Sequence, residues 1–457
     1  MQKTDTVKRV LTTIVLIHIL LLEAVAQTDS IDISALKAEI KRKVIAELKA
    51  EEEAARKYKQ TSVSLYGFVR NYITYDSRQC IALSGELFNL MPKDEMFNAE
   101  GVDLNSGSEL MFVAFTTRFG LDVAGPRILN AESSAKIEAD FCGFSTNNLV
   151  FRIRHAYARL AWNRTSLLVG QTWHPTFQVT PTISGYTAGA PFASPSRFPQ
   201  IRAEFDLGHG WSAMTAALFQ FSDASYGPDG ESYEYSRWGK IPEFYASLKH
   251  TKNGFTFGAG ASVLSIMPRR TSTAWRSVVA EDGSVEEQPI EVRVNDRLVS
   301  VMAEAFADYK RDKFNIKGKV VYAENTSHML MLSGFGATSY DRATGKYEYA
   351  SIRTLTTWLN ATYGRRVVAG VLLGFTDNMG AKRDFISTDD FWMLGAKNAD
   401  YIYRIAPSIT YHAKNLEVAL ECERTVVGYG DLALNGRTKA TRNVANQRIG
   451  LMMRYHF

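Results

Sequence analysis

The stretch Arg448-Ile449-Gly450-Leu451-Met452-Met453-Arg454-Tyr455-His456-Phe457 alternates residue by residue. Ile449, Leu451, Met453, Tyr455 and Phe457 share one face, and Arg448, Gly450, Met452, Arg454 and His456 share the other. Period two is the geometry of a strand, whose successive side chains point to opposite faces. An oily face, a polar face and a final aromatic predict the closing strand of an outer-membrane β-barrel. In lipid every backbone N–H and C=O needs a partner, so strands span a bilayer only as a closed barrel.

The same alternation recurs upstream. Strand-like runs cover 62–76, 109–123, 133–144, 149–163, 166–173, 199–207, 211–222, 241–250, 254–266, 296–310, 313–323, 351–363, 367–376, 401–412, 415–427 and 443–457. Ile201, Ala203, Phe205 and Leu207 oppose Arg202, Glu204 and Asp206; Val299, Val301, Ala303 and Ala305 oppose Ser300, Glu304 and Asp308. Tight links such as Gly208-His209-Gly210, Arg311-Asp312 and Ala413-Lys414 alternate with long polar loops, with the short link 145–148 as an exception on the loop side. Such two-sided sorting marks a barrel with tight periplasmic turns and large external loops. The predicted fold class is all-β, a transmembrane antiparallel β-barrel of about sixteen strands with a short N-terminal periplasmic (coiled-coil) helix. Run 367–376 is apolar on both faces, as at a subunit interface or in a tightly plugged lumen.

The N-terminus differs. Lys3, Lys8 and Arg9 precede an apolar run, Val10 to Leu22, and Ala24-Val25-Ala26 offers a small-x-small cleavage site. Residues 1–26 read as a signal peptide. In 27–60, Ile33, Leu36, Ile40, Val44 and Leu48 step by three and four among Lys and Glu, which predicts an amphipathic periplasmic helix able to form a short coiled coil. Residues 61–457 form the barrel. The net charge of +5 is modest and gives no reason to invoke nucleic acid. Three cysteines make no disulfide framework; Cys80 and Cys142 could pair in an oxidising periplasm, and Cys422 falls on a lipid-facing position.

No HExxH, CxxC pair, GxSxG, P-loop or dinucleotide fingerprint occurs, so no catalytic residue, metal or cofactor is expected. The inward charges say more. Arg448 and Arg454 on the last strand must face Arg70 on the first, and Arg118, Lys136, Arg152 and Arg154 follow on the next strands; Arg202 and Arg404 also take polar positions. Glu204, Asp206, Glu243, Glu304 and Asp308 make the opposite wall acidic. A basic arc facing an acidic arc sets a transverse field that selects ions. Loop 174–198, rich in Pro, Gly, Ser and Thr with Phe177, Tyr186, Phe192 and Phe198, is the candidate constriction beside Arg152 and Arg154.

Two stretches carry a family resemblance. Phe151-Arg152-Ile153-Arg154-His155-Ala156-Tyr157 with Val169-Gly170-Gln171-Thr172-Trp173 resembles the paired RxRHAY and GQTW strands of DcaP-like porins. Ala139-Asp140-Phe141, Tyr66-Gly67-Phe68 and Tyr75-Asp76-Ser77-Arg78 resemble that family's third and first strands. The match is concentrated in 63–177, and His174 departs from the Ser or Asn that follows the Trp there. The resemblance implies a trimeric porin of about sixteen strands passing small anions, dicarboxylates among them. It carries Arg152, Arg154 and Gln171 over as lumen-facing positions near the constriction.

The expected pore-lining set is therefore Arg118, Lys136, Arg152, Arg154, Gln171, Arg202, Arg404 and Arg448. The expected protein is a passive, mildly anion-preferring homotrimeric channel of the bacterial outer membrane, its helix in the periplasm. Its partners would be small anionic solutes, outer-membrane lipid and lipopolysaccharide, and the barrel-assembly machinery through the strand ending at Phe457. The alternatives are a plugged structural or adhesive barrel and a lipase-like barrel enzyme.

Overall fold

The computed structural model describes residues 38–39, 41–47, 61–83, 88–145, 148–187, 189–279 and 284–457. The expected signal peptide and most of the expected amphipathic segment lie outside the described residues. Within that segment 41–47 are helical, and Lys43 pairs with Glu39 one turn earlier at 3.3 Å. Of the apolar stripe, only Val44 falls among the described residues, where it is half-buried.

Sixteen strands form the barrel wall: β1 (Ser62–Asp76), β2 (Glu109–Val113 and Arg118–Ile128), β3 (Ala131–Ser145), β4 (Asn148–Ala161), β5 (Thr165–Trp173), β6 (Arg197–Gly208), β7 (Trp211–Leu218), β8 (Glu243–Lys252), β9 (Phe255–Ile266), β10 (Leu298–Arg311), β11 (Phe314–Glu324), β12 (Lys346–Gly364), β13 (Val367–Gly380), β14 (Ala399–Ala413), β15 (Leu416–Leu432) and β16 (Thr438–His456). Each corresponds to one run of alternation in the sequence. β1 pairs antiparallel with β2 on one side and with β16 on the other, from Phe68↔His456 to Asp76↔Arg448. Phe457 N–H donates to Gly67 O at 3.1 Å, and Gly67 N–H donates back to Phe457 O at 3.3 Å. A Cβ on Gly67 would lie 2.6 Å from the Phe457 ring, so only glycine lets the seam close this tightly. Among the described residues the sixteen-strand wall closes on itself, which removes the unpaired backbone groups that lipid would penalise.

The turns follow from local chemistry. Asn253 and Gly254 both take positive φ, 52° and 78°, the two-residue hairpin geometry that Asn-Gly adopts most readily. At the opposite end the loops are elaborate. One carries an extended hairpin (Thr271–Val279 with Val285–Arg293), and another adds Gly334–Asp341 to the rim of β12.

The outward row of β16 is as the alternation predicts: Ile449, Leu451, Met453, Tyr455 and Phe457 are all exposed, while Arg448 and Met452 are buried. Exposed aromatics cluster at both ends of the wall. Trp162, Phe205, Trp211, Phe255, Phe314, Tyr363 and Tyr411 ring the short-turn end, and Phe112, Phe219, Phe244 and Phe375 lie toward the loop end. Two aromatic girdles around an apolar band are the signature of a strand-built membrane protein. Cys422 is exposed, on the outward face as expected. Cys80 and Cys142, which the sequence left open to pairing, are buried free thiols, each packed into its own site, Cys80 beside Arg78 O and Cys142 beside Phe115 O.

The interior is partly filled. Phe192, Val179 and Ala190 of loop 174–198 join Phe88, Leu90 and Met91 in one apolar cluster against Trp358, Leu372, Ile402 and Val427 of the wall. This accounts for the two apolar faces of β13. Leu372 is buried in that cluster, and Gly374 leaves room for the Phe192 ring, which packs where a Cβ would otherwise stand.

Candidate functional site: an arginine-lined constriction

Loop 174–198 turns inward and crosses the lumen. His174 starts it: its Nδ1 accepts from Thr176 N–H at 3.2 Å, and Pro175 opens a short 3₁₀ turn. Burial pushes the His174 imidazole below its usual range, with its Nε2 3.5 Å from Glu243 on β8. The loop is then tethered to seven strands: Gln178 donates to Ser247 of β8 (2.9 Å), Thr176 O accepts from Lys319 of β11, and Thr182 N–H donates to Asn360 of β12 (2.8 Å). Arg404 of β14 donates to Ala190 O (2.8 Å), and Glu421 of β15 accepts from Ser184 and Gly185 N–H at 2.9 and 3.0 Å. Tyr72 of β1 donates to Ser184 O (3.0 Å), and Arg152 of β4 donates to Tyr186 Oη (3.0 Å). Burial raises the Tyr186 phenol, keeping it protonated beside the guanidinium.

A cavity of ≈550 Å³ remains between this loop and the wall of β1 to β6. Arg70, Arg118, Arg152, Arg154 and Arg197 line one side. Phe177, Ile183 and Tyr186 of the loop line the cavity too, with Leu83 and Phe88. Two carboxylates of β3 sit behind the arginines. Asp140 takes both Arg152 Nε and Nη2 at 3.0 Å and Arg154 Nη1 at 2.8 Å; Glu138 takes Arg154 Nε at 2.8 Å and lies 3.3 Å from Arg118. Paired N–H donors on a carboxylate fix a guanidinium in angle as well as position. Aromatic faces complete the clamp. Arg70 lies 5.0 Å from the Phe68 ring centre, Arg118 lies 5.0 Å from the same ring, and Arg197 lies 4.7 Å from Trp173, itself stacked on Phe177 at 4.1 Å. Among the described residues neither Arg70 nor Arg197 has a carboxylate ion-pair partner; Arg70 Nε donates to Thr116 instead. Five guanidiniums stand over two carboxylates, so positive charge is in excess on this wall. The charges facing them are Asp223 and Glu231, from the loop between β7 and β8. Burial raises the Asp223 carboxyl even though Arg197 beside it pulls the other way.

The structure brings Arg118, Arg152 and Arg154 of the expected set together here, and adds Arg70. Arg197 and the acids Asp223 and Glu231 escaped the sequence reading because they sit at the edges of loops, where alternation carries no information. The other expected residues lie elsewhere. Lys136 pairs with Asp122 (2.9 Å), and Arg448 is forked onto Asp76 (2.8 Å). Arg202 donates to Trp173 O (2.5 Å) and to Gln200 (2.9 Å). Arg404 points inward but is fully covered, held by Glu423 at 3.2 Å beneath the loop. Gln171 stands opposite Ala156 on the outward face and donates to Ile153 O at 3.0 Å. The cause is a bulge in β4. Glu138 pairs with His155 and Ala139 with Ile153, so both Arg154 and His155 face inward and the parity of everything after them is inverted. Of the expected acidic arc, Glu304 is buried on Lys319 (2.8 Å) and Tyr245 (2.6 Å), and Glu243 on His328 (3.0 Å), so neither of these two opens on the cavity.

No family model and no curated protein matches the chain. Solved structures do. The outer membrane channel DcaP of Acinetobacter baumannii superimposes with a TM-score of 0.60 at 19% identity, over 87% of this chain and 97% of that one. An anion-selective porin from Comamonas acidovorans gives 0.51 at 12% identity, over 87% and 100%. The trimer form of OmpT, an outer membrane protein of Vibrio cholerae, gives 0.51 at 12%, over 87% and 100%. The chain thus has the sixteen-stranded porin fold.

Proposed function

We propose that this protein is an outer-membrane porin through which small solutes diffuse passively, with preference for small anions, dicarboxylates included. The observation that carries this reading is the arginine wall: five guanidiniums face the gap left by an in-folded loop, two of them without a carboxylate partner among the described residues. A cation entering this gap meets net repulsion, and an anion finds fixed N–H donors. The Comamonas acidovorans neighbour is an anion-selective porin, and the Vibrio cholerae neighbour is a trimer; both fit a homotrimeric anion channel. The helical segment before the barrel would lie in the periplasm and assist trimerisation as a coiled coil. No chemical step is proposed, and Arg118, Arg152, Arg154, Arg70 and Arg197 serve as selectivity residues.

Planar-bilayer recording in a salt gradient tests this. The purified protein should give conductance steps in threes and a reversal potential of the sign for anion preference. Strong cation preference would refute it. A second reading, a closed structural barrel, draws support from the apolar cluster around Phe192 inside the lumen; it predicts no conductance steps at all.

A further inference from the structure

A second group of cations lies away from the bore, at the loop end of β8 to β10. A cavity of ≈730 Å³ opens there, lined by Arg237, Lys240, Arg270, Arg293 and Arg297, with Glu234 as the acid among them. Glu234 is taken by Arg237 at 2.7 Å. The other four cations have no ion-pair partner among the described residues. Arg270 and Arg293 are held side by side at the base of the long hairpin, where Thr271 pairs with Arg293 and Val294 N–H donates to Arg270 O at 3.1 Å. Arg297 donates to Ser265 Oγ at 3.4 Å. Ser265 is buried but pairs with Val299, which is 59% exposed on the outward wall, so the cradle stands at the rim directly above that outward face. Immediately toward the membrane centre, Phe244, Val263 and Val301 continue the same exposed apolar row across three strands.

Four uncompensated cations this close raise a local positive potential that favours a multiply charged anion. Guanidinium is suited to phosphate because its paired N–H donors match two phosphate oxygens. The apolar row below the cradle fixes the rest of the ligand: its body must be hydrocarbon, lying along the wall. We propose that the cradle binds the phosphorylated headgroup of a glycolipid in the outer leaflet, with its acyl chains on Phe244, Val263, Val299 and Val301. This rests on the reading of the barrel as an outer-membrane protein with its long loops facing outward.

The probe is bis-phosphorylated Kdo2–lipid A, added to the detergent-solubilised full-length protein and read by native mass spectrometry. The wild type should retain one lipid per chain, and the same lipid stripped of its phosphates should not be retained. Arg270→Gln, Arg293→Gln and Arg297→Gln together should weaken retention at least tenfold; a heat-modifiable gel shift checks folding, and the single variant Arg293→Gln, on the exposed hairpin, should weaken it severalfold by itself. Retention unchanged in these variants, or equal retention of the dephosphorylated lipid, overturns the proposal. So does complete displacement by millimolar inorganic phosphate, which would mark a site for free phosphate. Wild-type conductance, read in parallel, separates the two ideas: a non-conducting protein that still holds the lipid would sink the channel and keep the cradle.

Discussion

Arg70 and Arg404 both point into the barrel, yet they should matter in opposite ways. Arg70 borders the open gap, whereas Arg404 is sealed beneath the loop with Glu423. At an effective dielectric of about 80 and a distance of about 7 Å, one charge changes an ion's energy by about 0.6 kcal/mol, or about threefold in its population. Arg70→Gln and Arg197→Gln should each lower the anion-to-cation permeability ratio by about that factor in a reversal-potential measurement. Arg404→Gln should leave the ratio alone and lower the temperature at which the heat-modifiable gel shift is lost, because breaking a buried ion pair costs about 3–5 kcal/mol. Asp223 adds a pH dependence. Its carboxyl is raised by burial, so on acidification it loses its charge before an ordinary aspartate would, while the arginines stay cationic. Anion preference should therefore rise as pH falls through a range above the ordinary aspartate one, and Asp223→Asn should reduce the change, leaving the part contributed by Glu231, which burial also raises. Residue parity made Arg118, Arg152 and Arg154 legible in the sequence. The family resemblance, not parity, carried Gln171 to the lumen; the extra residue at Arg154-His155 turns Ala156, and Gln171 opposite it, outward. Parity misread Arg404 because it says which side chains face in but not which of them meet water.

Strands were more legible than loops. Lipid outside and polar groups within impose period two on most of the sixteen strands; the pattern fails where the apolar loop cluster packs on β13 and where the bulge in β4 shifts the count. Loop 174–198 could be suspected from its interleaved aromatics. Its course across to Asn360, Arg404 and Glu421 depends on contacts more than 170 residues away in the chain, which no local pattern encodes. The loop sets the gap, so displacing it should widen the channel. Gly374→Val puts a side chain where the Phe192 ring now lies. Single-channel conductance of that variant should rise severalfold, with weaker anion preference; unchanged conductance would mean that the loop is not the narrowest point.

For the molecule as a whole, the decisive contact is the seam between β1 and β16, and the closing strand announced it: Arg70 does meet Arg454, and Asp76 meets Arg448. Gly67→Val would force apart the close approach of Gly67 and Phe457. An overpacked contact of this kind costs about 1–3 kcal/mol. The expected result is a smaller fraction of the compact, heat-modifiable band on an unboiled gel, with conductance unaltered in the molecules that do close.

A hollow tube of strands ovalises easily under sideways load. Here a peptide spoke runs from the His174 side of the bore to Arg404 and Glu421 on the far side, with Tyr72 of β1 bracing it between, fastened by backbone and side-chain bonds at each end. Squeezing the tube along that diameter must compress the spoke, and stretching it must break those fastenings one by one. The calibre of the passage should accordingly hold steady when the surrounding bilayer is put under tension, keeping the arginine wall at a constant distance from the loop that faces it.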